Sequence, residues 1–221
     1  MELFEVMRTT FSAREFTDDP LPDEVLAEVF ENARFAPSGG NRQGGRVIVV
    51  RDPDTRSALA DLAAAPARRY IAQGNAGESP WNPLAPTSVP AATIAETEIP
   101  ARLTESFRDA PVVLVFIVDL GVVAATDQLL DRVGLIAGAS IYPFVWNVLL
   151  ATRQAGFGGT ITTLAVAQEL ELQALLGIPA TFAVAAVVPL GKPVKQLTKL
   201  RRLSVEEIAT HERFDGTPFA V

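Results

Sequence analysis

Val112-Val113-Leu114-Val115-Phe116-Ile117-Val118 is an unbroken apolar run, preceded by Pro111 and closed by Asp119. β-Branched residues dominate it, and polar residues do not alternate with them. A strand with one wet face alternates, whereas a strand without alternation is covered on both faces. The run therefore predicts a central strand packed between helices. Outward from it, Val47-Ile48-Val49-Val50 and Phe182 to Val188 read as further short, buried strands. Toward the N-terminus, Glu2 to Thr10 carries Leu3, Phe4 and Met7 at helical spacing. Pro22-Asp23-Glu24 opens a second helix, because proline suits a first turn and acids suit its positive end. Its buried stripe is Val25, Leu26, Val29, Phe30 and Ala33, and Pro37-Ser38-Gly39-Gly40 stops it. A third helix follows Asp52-Pro53-Asp54 and runs through Ala58, Leu59 and Leu62.

Between Ala65 and Pro100 the six prolines and weak periodicity predict an irregular excursion with one or two short helices. Long insertions of this kind serve as lids or binding loops, or are tolerated surface insertions. Trp81 within it is a candidate to touch a ligand, and equally a residue that pins the loop down. Beyond the central strand, a long helix is expected from Thr126 to Gln154, kinked at Pro143. Gly156-Phe157-Gly158-Gly159-Thr160 ends it and leads into a short strand. Ala165 to Leu176 is amphipathic and closed by Gly177. Ser204-Val205-Glu206-Glu207 has capping-box spacing. The tail from Phe214 to Val221 shows no local partner. The sum is one α+β domain over residues 1–221, with residues 65–108 as a lid or insertion.

Composition narrows the chemistry. The 221 residues are 48% hydrophobic and 20% charged, which suits a globular domain. With no cysteine, thiol nucleophiles, disulfides and thiolate metal sites are excluded, and His211 alone cannot build a multi-histidine centre. A net charge of −7 argues against a general nucleic-acid surface. Chemistry is thus expected to come from a bound organic cofactor. The first residues, Met1-Glu2-Leu3-Phe4-Glu5, do not read as a secretory signal. The charge-free stretch from Val133 to Thr152 has membrane-spanning length, but it holds Ser140, Pro143 and Asn147 and reads as a helix buried in protein. No membrane partner is expected, and the location expected is cytoplasmic.

Four constellations offer binding chemistry. Lys192, Lys195, Lys199, Arg201 and Arg202 form an acid-free basic stretch in an acidic chain, suited to an anion or simply solvated. In Arg8-Thr9-Thr10-Phe11-Ser12-Ala13-Arg14, a continuing helix would set Arg8 and Ser12 on one face; the alternative is a helix end with a backbone-bonded serine. Ala36-Pro37-Ser38-Gly39-Gly40-Asn41-Arg42-Gln43 combines close backbone approach with donors and acceptors, although loops before strands look similar for turn reasons. Gly156 to Thr160 is a poor dinucleotide loop, since it follows a helix and precedes a strand. It is a plausible place for backbone N–H groups to face a ring system.

In their order along the chain these segments are informative together. Ser12-x-Arg14-x-Phe16, then Ala36 to Asn41 with Gln43 before the Val47 strand, Gly156-Phe157-Gly158, Leu175-Leu176-Gly177-Ile178-Pro179 and Lys199-x-Arg201 resemble the FMN-dependent nitroreductase family. The resemblance spans nearly the whole chain. It implies a homodimer of α+β subunits, each with a mostly antiparallel central sheet packed between helices. FMN would sit at the subunit interface, the uncharged helix would form the dimer's core, and the C-terminal tail (212–221) would extend onto the partner. It further implies that Ser12 and Arg14 lie near the flavin, with Arg14 at its pyrimidine end. Pro37, Ser38 and Asn41 would reach the cofactor from the other subunit. Gly158 and Gly159 would pass over the N5 edge, and Lys199 and Arg201 would hold the phosphate. Where the family often has two basic residues before the serine, this chain has Thr10 and Phe11, so Arg8 would take part in the phosphate grip. Where Pro-Trp often follows the glutamine, Gly44 and Gly45 stand here.

The activity so implied is oxidation of NADH or NADPH, with hydride passing through flavin N5 to a small-molecule acceptor such as a nitroaromatic or quinone. Other readings are a non-catalytic flavin carrier or sensor, or another redox activity of the fold: a dehalogenase, a flavin-cleaving enzyme or a deazaflavin-dependent reductase. No metal and no nucleic-acid partner are expected.

Overall fold

The computed structural model describes residues 1–219. In chain order the helices and strands are α1 (Leu3–Thr9), α2 (Asp23–Ala33), β1 (Gly45–Val50), α3 (Pro53–Asn75), α4 (Ala91–Glu96), α5 (Glu105–Asp109), β2 (Val112–Asp119), α6 (Tyr142–Gln154), β3 (Gly158–Gly159), α7 (Glu169–Leu176), β4 (Phe182–Gly191) and α8 (Val205–Ile208). The strands form one antiparallel sheet in the order β1-β2-β4-β3. β2 thus lies in the interior of the sheet, as its apolar run requires. Its register sets Val50 opposite Val113 on one side and Val112 opposite Leu190 on the other, with an irregularity between Phe116 and Ile117.

The two faces of β2 explain the missing alternation. Val112, Leu114, Phe116 and Val118 join a core with Leu26 and Val29 of α2 and Val145, Val148 and Leu149 of α6. Val113, Val115 and Ile117 join a second core with Leu59, Ala60 and Ala63 of α3, Phe107 of α5 and Leu172 of α7. Successive residues point to opposite faces, and both faces meet helices. The expected α+β architecture, a mostly antiparallel sheet between helices, is the one observed.

Several local expectations are corrected. α3 does not stop before Ala65 but continues to Asn75 through the buried Pro66. The alanine-rich run around Pro66 favours helix at each position, and a proline inside a helix removes one hydrogen bond without forbidding the rest. The irregular part of the excursion is correspondingly shorter, with α4 inside it. The helix expected from Thr126 begins only at Tyr142, after a 3₁₀ turn at Ile136–Ser140. Pro143 sits in its first turn, where the missing N–H costs nothing, instead of kinking its middle. Residues 127–136 are organised around the Asp127 carboxylate, which accepts from Leu135 N (2.7 Å), Ile136 N (3.3 Å) and Arg132 Nη1 (2.9 Å). α1 ends at Thr9, so Arg8 and Ser12 do not share a helix face.

The tail is not without a local partner. His211 N donates to Thr217 O and Phe219 N to Ala209 O, both at 2.9 Å, and the His211 and Phe219 rings lie 5.2 Å apart. Ala220 and Val221, the end of the expected tail, lie outside the described residues. The Ser204–Glu207 capping box and the left-handed Gly177 stand as expected. Among the described residues no helix is long and apolar enough to cross a membrane.

Candidate functional site

The segment after α1 is held extended by β3 and the end of β4. Ser12 forms a parallel bridge with Gly159, and Ala13 N donates to Gly159 O at 3.0 Å. Thr17 N donates to Lys192 O and Val194 N to Glu15 O, at 2.9 and 3.1 Å. In an extended segment neighbouring side chains alternate, so the burial of Ala13 turns Arg14 the other way. Arg14 thereby lines a cavity of about 630 Å³. Thr160, Ile161 and Thr162, just past β3, form one side of it; Pro66 and Tyr70 of α3 form another, with Trp81 from the excursion and Arg102 just after it.

Trp81 is held firmly. It adopts φ +55°, which is unusual for a bulky side chain and needs support from its surroundings. The support is visible: its backbone N–H donates to Oε1 of the buried Gln73 at 3.1 Å, and the Arg69 guanidinium lies 4.3 Å above its ring. Glu78 ties the same segment together. Its carboxylate accepts from Thr87 Oγ1 (2.7 Å), from Ser88 N and Oγ (2.8 and 2.7 Å) and from Gln73 Nε2 (3.2 Å). The Thr87 and Ser88 hydrogen bonds hold its pKa down at about 2.

Electrostatically the cavity is positive. No carboxylate lines it, and neither Arg14 nor Arg102 has a carboxylate partner among the described residues. Arg14 makes one weak contact, Nη1 to Ser12 O at 3.3 Å. Burial first, and then the neighbouring Arg102 charge, lower its pKa from the usual arginine value, with Tyr70 opposing.

The other expected residues fall into separate places. Pro37 and Ser38 line a second, smaller hollow of about 160 Å³ with Arg34, Arg46, Ser140 and Phe144. In that loop Ser38 Oγ accepts from Gln43 N at 2.9 Å, while Gly40, Asn41 and Gln43 adopt φ of +60°, +52° and +50°. Lys199 and Arg201 are exposed and line neither space, nor does Arg8. The structure therefore brings Ser12, Arg14, Gly158 and Gly159 together within one chain and leaves Pro37, Ser38 and Asn41 apart from them.

The glycines have reasons of their own. A Cβ on Gly158 would lie 2.9 Å from Pro193 Cγ, and one on Gly159 would collide with Leu190. Packing within the chain already demands both. The same holds at Gly44, where a Cβ would lie 2.5 Å from Val122 Cγ2, and at Gly45, where it would lie 2.9 Å from Ile141 Cδ1. Thr10, which stands where a basic residue is often found, is buried and spends its hydroxyl on Val6 O at 2.8 Å. Tyr70, Arg102 and the threonines at 162 and 163 were not evident from sequence. The first two lie in the expected 65–108 insertion, whose weak periodicity predicts no facing, and the threonines read only as the exit from a glycine turn.

Residues 7–192 match the nitroreductase family. The chain belongs to that family. A curated NADH dehydrogenase of Thermus thermophilus is 27% identical over 210 residues, covering 89% of each chain. Among solved structures, an iodotyrosine deiodinase bound to FMN and 3-iodo-L-tyrosine is similar at TM-score 0.70 and 18% identity, covering 96% of this chain and 100% of its own. An NADPH:FMN oxidoreductase from Vibrio harveyi complexed with NAD+ is similar at TM-score 0.67 and 21% identity, covering 96% and 78%. These structural likenesses establish the nitroreductase-type fold.

Proposed function

We propose that this nitroreductase-family chain is an FMN-dependent NAD(P)H oxidoreductase acting on a small acceptor such as a nitroaromatic or quinone. The observation that carries the reading is the acid-free, arginine-lined cavity at the Ser12–Gly159 bridge. It has the size of a small-molecule site, with mostly apolar walls and a few converging polar groups. Such a space suits a flat ring system, and the Arg14 guanidinium, which has no carboxylate partner among the described residues, suits a cofactor that gains negative charge on reduction. Bound FMN supplies the hydride chemistry that the side chains of this chain lack.

The residues have distinct tasks in this reading. Ser12 and Arg14 lie against the cofactor, and Arg14 offers preorganised positive charge to its pyrimidine end. Gly158 and Gly159 keep the bridge to Ser12 close. Lys199 and Arg201, with Arg8, hold the phosphate. Pro37, Ser38 and Asn41 complete the site from a second copy, which accords with the separate hollow that Pro37 and Ser38 line. The chain acts as one domain, and residues 65–108 cover the cavity.

Association in pairs is supported by what one copy leaves exposed. Leu3 and Phe4 of α1, Leu135, and Ile208 and Phe214 near the C-terminus are all open large apolar residues. An apolar groove lined by Leu3, Val25, Leu150 and Ala151 runs along α1, α2 and α6. An exposed groove with apolar walls marks an interaction surface. The 212–221 tail would extend onto the partner.

The test is the visible spectrum of the purified protein, followed by anaerobic addition of NADH or NADPH. A yellow dimer whose colour bleaches is expected. A yellow protein that does not bleach would make it a passive flavin carrier, and a colourless monomer that ignores added FMN would overturn the assignment.

A further inference from the structure

Arg102 stands at the excursion's edge of the cavity, in the 3₁₀ turn at Ala101–Leu103, and its guanidinium makes no hydrogen bond and no ion pair among the described residues. Its neighbours in sequence and space are otherwise engaged. Arg68 donates to Thr97 O at 3.2 Å, Arg69 stacks on Trp81, and Arg108 pairs with Asp61 and Glu105. Yet the chain has 26 acids to 19 basic residues, so an acidic partner was readily available by composition. Two guanidiniums facing one apolar cavity without a carboxylate repel each other unless an anion enters between or beside them. Arg14 has a task under the cofactor reading on which this inference rests; Arg102 does not.

The remaining walls say what carries the anion. Trp81, Tyr70, Pro66 and Leu103 present flat or apolar surface. Trp81 in particular is fixed in an otherwise unfavourable backbone conformation by Gln73 and Arg69, so its ring is a preset surface and does not wait for a ligand to order it.

We propose that Arg102 is the specificity residue of the cavity, and that the ligand it selects is an aromatic compound bearing a carboxylate, its ring against Trp81 and Tyr70 and its anion on Arg102. Planar, two-oxygen anions match the guanidinium fork, and a charge-assisted bond of this kind in a partly dry site is stronger than a neutral one.

The experiment is equilibrium binding of benzoate and benzamide to the purified protein, followed by calorimetry and by tryptophan fluorescence. Neither readout needs turnover. Benzoate is expected to bind more tightly than benzamide, and the ratio of the two affinities is expected to fall about tenfold in Arg102→Ala and less in Arg102→Lys. A kinetic arm uses 4-nitrobenzoate and 4-nitrobenzamide, each reduced to the nitroso compound while NADH and a proton become NAD+ and water leaves. The ratio of their kcat/KM values should fall in the same way. Equal affinities in the native protein, or an unchanged ratio in both variants, would overturn the proposal. So would loss of bound flavin, or a raised KM for NADH or NADPH matching the loss of benzoate, since Arg102 would then serve the cofactor or the donor. If Arg102→Ala fails to fold, Arg102→Lys and the native ratio decide alone. A colourless protein that still discriminates benzoate from benzamide would leave the anion site standing and remove the cofactor reading; a yellow one that does not discriminate would do the reverse.

Discussion

Nε2 of Gln196 donates to the backbone carbonyl of Thr9 at 3.0 Å, joining the basic stretch near the C-terminus to the end of the first helix. Arg153 Nε reaches the hydroxyl of the same threonine at 3.1 Å. Thr9 thus anchors the 194–202 segment, which otherwise lies largely exposed. If Lys199 and Arg201 hold the cofactor phosphate, Gln196 sets where they stand. Gln196→Ala should raise the Kd for FMN about fivefold, the worth of one ordinary hydrogen bond. Fluorescence titration of the apoprotein checks it. An unchanged Kd would separate the basic stretch from the cofactor.

Arg14 and Arg201 should fail in different ways. Arg14 lines the cavity, half buried, where, under the proposed function, preorganised charge would act on the reacting system. Its replacement by alanine should slow reduction of the bound cofactor by about a hundredfold, as loss of such a donor does elsewhere. Arg201 is exposed and outside the cavity, so Arg201→Ala should chiefly weaken retention, by about tenfold for a lost charge-assisted bond. Rapid-mixing absorbance and fluorescence titration measure the two properties. Equal losses of both in both variants would remove the distinction.

Glu78 supplies a pH prediction. Its pKa lies at about 2, below the ordinary value of 4.5, because of the Thr87 and Ser88 hydrogen bonds. A carboxyl depressed in the folded state stabilises it above the unfolded pKa and loses that contribution as pH falls through the folded one. The clamp on residues 73–88 should therefore be whole at neutral pH and fade between roughly pH 4.5 and 2. Hydrogen exchange of the 79–90 segment should be faster in Glu78→Gln than in the native protein at pH 7. The difference should shrink as the pH approaches the lower limit; a constant difference would mean that the carboxylate's charge is not what holds the loop.

What could be read from sequence follows a physical divide. β2 was legible because burial on both faces leaves its mark in composition, and Gly177 because a left-handed cap has few alternatives to glycine. The helix from Thr126 was misjudged because lack of charge does not distinguish a helix from a turn-rich segment. There the deciding interactions are the Leu135 and Ile136 amides on Asp127, which no periodicity reveals. Pro66 misled in the other direction: one of the six prolines that pointed to an irregular excursion lies buried inside α3. That error hid Tyr70, and with it the shape of the cavity. Arg14, expected near the cofactor from a spacing resemblance, lines the cavity, whereas Arg102 stands out only once its lack of a partner among the described residues can be seen.

The glycine turn offers the sharpest test of how packing and site are joined. Gly156 adopts φ +87° with nothing near the place a Cβ would take, whereas Gly159 lies in the sheet with Leu190 and Pro189 O in the way. Alanine at Gly156 brings backbone strain alone, about 1–2 kcal/mol. Alanine at Gly159 must push β3 away from β4, an overpacking cost of about 1–3 kcal/mol, and it does so at the residue bridged to Ser12. Both variants should melt lower, by roughly 2–4 °C for each kcal/mol in a chain of this size. Only Gly159→Ala should also weaken flavin retention, because Ser12 and Arg14 move with the bridge. Melting curves and the absorbance of the purified variants, compared at matched protein concentration, decide it. Flavin lost equally from Gly156→Ala would show that general stability, and not the bridge, governs the site.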